Sequence, residues 1–163
     1  MVSRRLSRET GHRRKFLAVI DETPECERAV AYASRRAKST GGVLVLLFVV
    51  ENADFQQFLG VEQVMRAEAT ASAKLTLDNF ATKIRETLGI EPELIVREGA
   101  AKDEILAQVE EDQDIAILVL AASAAKEGPG PLVMATIAKG GGFPIPVTIV
   151  PQTLSDQDME NLA

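Results

Sequence analysis

The chain has 163 residues, 46% of them hydrophobic and 26% charged, with a net charge of −6. That length suits one domain with a real core, and its longest apolar run, Val43 to Val50, is far short of the roughly 20 residues that span a bilayer. A single cysteine, Cys26, and a single histidine, His12, exclude an intramolecular disulfide, a histidine–cysteine zinc site and an anchored catalytic triad.

Residues 1–15 form a basic arm: Arg4, Arg5, Arg8, Arg13, Arg14 and Lys15 against Glu9. The rest of the chain then carries −11, from 12 basic and 23 acidic side chains. No apolar region with a small-residue cleavage site follows the arm, so it does not read as a secretory signal, and a cytoplasmic protein is expected. The arm has no aromatic ring to stack on bases and the body is acidic, which disfavours nucleic acid as a partner. With no membrane contact expected either, the arm reads as a flexible terminus kept soluble by its charge.

Phe16 to Ile20 reads as a first strand, closed by Asp21. Thr23-Pro24 opens a helix with Ala29, Val30, Ala33 and Ala37 on its inward side, and Gly41-Gly42 ends it. Val43 to Val50 is the second strand, and Phe55, Phe58 and Leu59 lie in the connection after it. A long helix over Val61 to Leu88 repeats Leu77, Phe80, Ile84 and Leu88 at helical spacing before Gly89. Glu93 to Arg97 is a third strand and Ala101 to Glu110 a third helix, with Ile105 and Val109 facing in. Ile115 to Leu120 is a fourth strand and Leu132 to Lys139 a fourth helix, stopped by Gly140-Gly141-Gly142. Ile145 to Val150 is a fifth strand, and residues 152–163 form an acidic tail behind a domain over 16–151.

Strands alternating with helices imply βαβ units, a parallel sheet and right-handed crossovers, hence an α/β fold of three layers. Val43 to Val50 is apolar on both faces, as a strand covered on both sides must be. In such a doubly wound sheet, ligands sit beyond the carboxyl ends of the strands, where the strand order reverses. The candidate loops are Asp21-Glu22-Thr23, Val50-Glu51-Asn52, Glu98-Gly99 and Ala121 to Pro131. A phosphoryl-accepting receiver domain is excluded, because Glu98 follows the third strand and the fifth strand holds no lysine. The sequence DETPEC is no flavodoxin phosphate loop, and no glycine lies between Gly11 and Gly41 for a dinucleotide fingerprint.

The segments KFLAVIDETPECERAVAYASRRAKSTGGVLVLLFVVE, VREGAAKDEILAQVEEDQDIAILVLAAS and FPIPVTIVP resemble the universal stress proteins over roughly residues 15–151. The resemblance implies a five-stranded parallel sheet of order 3-2-1-4-5, with Asp21 beside the 121–131 segment. It also implies a test. Members of that family that bind ATP carry Gly-x2-Gly-x9-Gly-Ser/Thr after the fourth strand, and those positions fall here on Ala121, Ala124, Met134 and Ala135. A Cβ at each position blocks close approach of a phosphate to the backbone.

The expectation is therefore a non-catalytic universal stress protein of the branch without the ATP loop, holding no cofactor and no metal, and acting through an unidentified protein partner or a weakly bound ligand. The alternative is a regulator that binds ATP or AMP, with or without magnesium. It would use Asp21, Glu22, Thr23, Val49, Val50, Ala121 and Ala122, with a substitute phosphate loop at Gly128 and Gly130. Gly128-Pro129-Gly130-Pro131 has two readings at this point, a structural turn or an anion site. Asp21 likewise either touches a nucleoside or caps the turn it follows. The last strand should lie at the sheet edge, and related proteins often pair it across a two-fold axis. A homodimer through Ile145, Val147, Thr148, Ile149 and Val150 is expected.

Overall fold

The computed structural model describes residues 2–51, 61–138 and 142–163. Asn52, Phe55, Phe58, Leu59, Lys139, Gly140 and Gly141 lie outside those residues. Five strands form one sheet: β1 (Lys15–Ile20), β2 (Val43–Val50), β3 (Glu93–Glu98), β4 (Ile115–Ala122) and β5 (Val147–Pro151). All pairings are parallel and the order is β3-β2-β1-β4-β5. The helices are α1 (Cys26–Thr40), α2 (Glu62–Leu88), α3 (Ala101–Glu111), α4 (Pro131–Ile137) and α5 (Asp156–Leu162). The fold is α/β and doubly wound.

The period-two and period-3.6 patterns locate the core. On one face of the sheet, Ala29, Val30, Ala33 and Ala37 of α1, Leu77 and Ile84 of α2 and Met159 of α5 are buried against Phe16, Ala18, Leu44 and Leu46. On the other face, Ile105 and Val109 of α3 pack on Leu17, Val45, Leu47 and Leu118. Leu44 to Leu47 are therefore enclosed from both sides, as a central parallel strand requires.

Three differences from the sequence reading have clear causes. The first helix begins at Cys26 rather than Thr23, because the Asp21 carboxylate accepts the Thr23 amide at 2.9 Å and holds a turn ahead of the helix. The fourth strand runs on to Ala122, since Ala121 and Ala122 pair with Val150 and Pro151 of β5. The acidic tail contains a helix, α5. Ser155 and Asp158 satisfy each other's backbone amides at its start, and Met159 is fully enclosed. That start was readable as S-x-x-D, but a helix so short is stable only once docked.

The arm also differs from a flexible terminus. Leu6 donates its amide to the Gln113 carbonyl at 2.9 Å. Arg5 Nη1 donates to the carbonyls of Val109, Asp112 and Ile115 at 2.6, 3.2 and 3.2 Å. His12 Nδ1 lies 2.7 Å from the Asp114 carboxylate. These bonds lay the arm along the α3–β4 connection, where the last carbonyls of α3 would otherwise lack donors.

Candidate functional site

The strand order reverses between β1 and β4, and a cleft of about 880 Å³ lies beyond the carboxyl ends of β1 and β2, walled on one side by α4, the helix that follows β4. Val19 and Ile20 of β1 and Phe48, Val49 and Val50 of β2 supply its apolar floor. Met65, Glu68, Ala69 and Ser72 of α2 close one side, and Pro131, Leu132 and Ala135 of α4 close the other. Among the described residues of the lining, Asp21, Glu22, Glu51 and Glu68 stand against a single cation, Lys102. A ligand entering there meets an apolar floor and an excess of negative charge.

Of the residues expected from sequence, Asp21, Glu22, Val49 and Val50 meet in this cleft. Thr23, Ala121 and Gly130 line an adjoining crevice of about 80 Å³, which shares Val19, Asp21, Pro131 and Leu132 with the cleft and is bounded also by Cys26 and Leu120. Ala122 and Gly128 line neither. The Asp21 carboxylate is engaged locally, accepting from both the amide and the hydroxyl of Thr23. The same oxygen takes both bonds, which leaves the second one facing solvent at an exposed position.

Four amides of the segment after β4 are bonded within the protein. Ser123 donates to the Pro129 carbonyl at 3.1 Å and Gly128 to the Ala125 carbonyl at 3.2 Å. Ala125 donates to Ser123 Oγ at 3.1 Å, and Ala124 to Oε1 of Gln152 at 2.8 Å. Pro129 and Pro131 have no N–H to offer. Gly130 adopts φ 107° and ψ 159°, a backbone open only to glycine, and this directs Pro131 into the first turn of α4. The geometry is that of a closed turn braced on the segment after β5.

Neither of the residues that suggest nucleophilic chemistry serves the cleft. Cys26 is buried, with Sγ 3.7 Å from the Val19 carbonyl, and desolvation pushes its thiol up to about 12. It is protonated at neutral pH. His12 sits at the amino ends of the strands, on the opposite edge of the sheet from the cleft. Among the described residues no group of three or more His, Cys, Asp or Glu side chains converges as a metal shell, and no helix is long and apolar enough to cross a membrane.

The expected dimer strand is divided in the structure. Ile145 and Val150 are enclosed within the subunit, 6% and 2% exposed, while Ile149 is 41% exposed. Ile145 precedes β5 rather than belonging to it, and packs with Leu118 and Leu120. Val147 and Thr148 are half-buried. Only β4 flanks β5 in the sheet, so its other edge is open among the described residues.

Sequence reasoning missed the walls of the cleft. Met65, Ala69 and Ser72 recur at helical spacing, so a single face of α2 was readable. Which ligand cleft that face covers was not. Ala101 and Lys102 come one residue after Glu98-Gly99, a loop that the carboxyl-end rule had already indicated.

The model of the universal stress protein family matches residues 12–151. Among solved structures, a universal stress protein from Lactobacillus plantarum superposes with a TM-score of 0.71 at 16% identity, over 84% of this chain and 97% of that one. A family protein from Arabidopsis thaliana, solved with AMP bound, has a TM-score of 0.59 at 18% identity, over 85% and 91% of the two chains. One from Archaeoglobus fulgidus, solved with dAMP, has 0.58 at 20%, over 84% and 97%. No curated protein matches this sequence.

Proposed function

The chain belongs to the universal stress protein family, and from that premise we propose that it acts in the cytoplasm as a non-catalytic, dimeric stress protein whose switch-point cleft takes a weakly bound small ligand. The observation that carries this reading is the state of the segment after β4. The amides of Ser123, Ala124, Ala125 and Gly128 are all committed within the protein. A triphosphate needs several preorganised donors and gains little where the backbone has already used them. The acidic lining works in the same direction, because Asp21, Glu22, Glu51 and Glu68 repel a polyanion. Calorimetric titration with adenosine, AMP, ADP and ATP, with and without magnesium, tests the proposal. The expected order is adenosine or AMP over ATP; saturable micromolar binding of ATP overturns it.

A second reading keeps adenine nucleotides as the regulatory ligand. Two neighbours of the same fold are solved with AMP or dAMP bound, and a cleft of about 880 Å³ accommodates a nucleoside over Val49 and Val50. A monophosphate asks less of the backbone than ATP does. Phosphate release from ATP that disappears in Asp21→Ala would establish an enzyme instead.

A further inference from the structure

The docked arm creates a second cleft, of about 490 Å³, at the amino ends of the strands. Its lining is Arg5, Ser7, Arg8, Arg14, Ala116 and Ile117: three guanidinium groups and a hydroxyl over an apolar floor, with no carboxylate. The remaining cations of the arm are engaged elsewhere. Arg4 pairs with Glu9, Arg13 donates to the carbonyls of Gly41 and Gly42, and Lys15 bridges Glu93 and Asp112. Arg8 and Arg14 take part in no ion pair among the described residues.

Arg5 adds an independent observation. Its Nη1 and Nε are satisfied by carbonyls, whereas its Nη2 is buried and has no acceptor. A buried donor left without an acceptor is costly and rare in folded proteins. The floor is irregular as well: Lys15 pairs with Ile115 and Phe16 with Ile117, so Ala116 is an extra residue in β4 opposite β1. Strand irregularities of this kind alter which side chains a sheet edge presents.

Gathering three like charges raises the free energy of the cleft in a way that an anion relieves. This chain carries a net charge of −6, yet among the described residues no carboxylate lines the cleft; Glu110, bonded to Ser3, acts on Arg5 from outside it. Guanidinium groups bind phosphate oxygens through paired N–H donors, and a hydroxyl completes such a shell. We propose that this cleft binds the phosphate group of a small phosphorylated molecule, whose non-phosphate part lies on Ala116 and Ile117. The site is separate from the switch-point cleft and does not depend on how that cleft is used.

The test is calorimetric titration of the full chain with phenyl phosphate and with pyrophosphate at low salt. Saturable binding is expected. It weakens by about tenfold or more in Arg8→Ala/Arg14→Ala, the loss of at least one charge-assisted contact, and is unchanged in Asp21→Ala. If the double variant melts early, Arg8→Glu at its exposed position gives the same loss in a folded protein. Absence of saturable heat at about 1 mM of either probe, or equal affinity in the arginine variants, overturns the proposal. So does binding to phosphatidic acid vesicles without binding to either soluble phosphate, which would make the patch a membrane contact.

Discussion

The backbone N–H of Ala124 donates to Oε1 of Gln152 at 2.8 Å, so the segment leaving β4 is tied to the segment leaving β5. The tie joins positions 28 residues apart in sequence and helps hold the turn closed over Pro129. Replacing Gln152 with Ala exposes that amide to water in an open loop. The expected cost is about 1 kcal/mol, seen as a drop of about 2–4 °C in melting temperature by scanning calorimetry. An unchanged melting temperature would mean that the turn holds itself closed.

The acidic lining of the switch-point cleft makes ligand preference depend on salt. At low ionic strength adenosine should bind more tightly than ATP, and the gap should narrow as salt screens Asp21, Glu22, Glu51 and Glu68. Replacing Glu51 and Glu68 together with Gln should raise ATP affinity severalfold and leave adenosine unaffected. Titrations at two salt concentrations read both effects.

Cys26 should be inert in the folded protein. Desolvation raises its thiol from 9.0 to about 12, so a thiol reagent should label it only after denaturant is added. The raised value also has a sign for stability. The contribution is fully present below the unfolded value near 9.0 and is lost as pH climbs toward about 12. Between about pH 9 and about pH 12, wild type should therefore lose stability faster than Cys26→Ala in urea titrations.

The C-terminal helix is a part of the core rather than an appendage. Met159 is fully enclosed, and Arg28 and Arg35 of α1 reach Asp156 and Glu160 at 3.0 Å. Met159→Ala should cost about 2–5 kcal/mol through lost burial and the cavity left behind. Met159→Leu should cost less than about 1.5 kcal/mol. Removing either exposed acidic partner should matter far less, because solvent-exposed ion pairs contribute little. Urea unfolding of these variants separates the effects.

The proposed dimer contact narrows to the exposed side of β5. Ile149→Lys places a charge at a position 41% exposed in the subunit and should convert dimer to monomer without loss of fold, measured by sedimentation and circular dichroism. Changes at Ile145 or Val150 should instead lower stability, since both side chains are enclosed within one subunit. A wild-type monomer at micromolar concentration would remove the dimer from the functional reading.

Sequence alone determined the layers of this protein. The unbroken apolar run from Val43 to Val50 demanded cover on both faces, and Ala29, Val30, Ala33 and Ala37 marked the helix face that provides part of it. Through the family resemblance it also set the expectation that Ala121, Ala124, Met134 and Ala135 stand where a phosphate cradle would carry glycines and a hydroxyl. Tertiary structure decided what the remaining polar groups do. Periodicity records which side of an element is apolar, but not which distant element supplies a donor, an acceptor or a wall. Asp21 meeting Thr23 was within reach of local reasoning. Gln152 bracing Ala124, α2 closing the switch-point cleft, and Arg5 carrying the arm onto the carbonyls of Val109 and Ile115 were not, because each depends on where chain segments far apart in sequence come to rest.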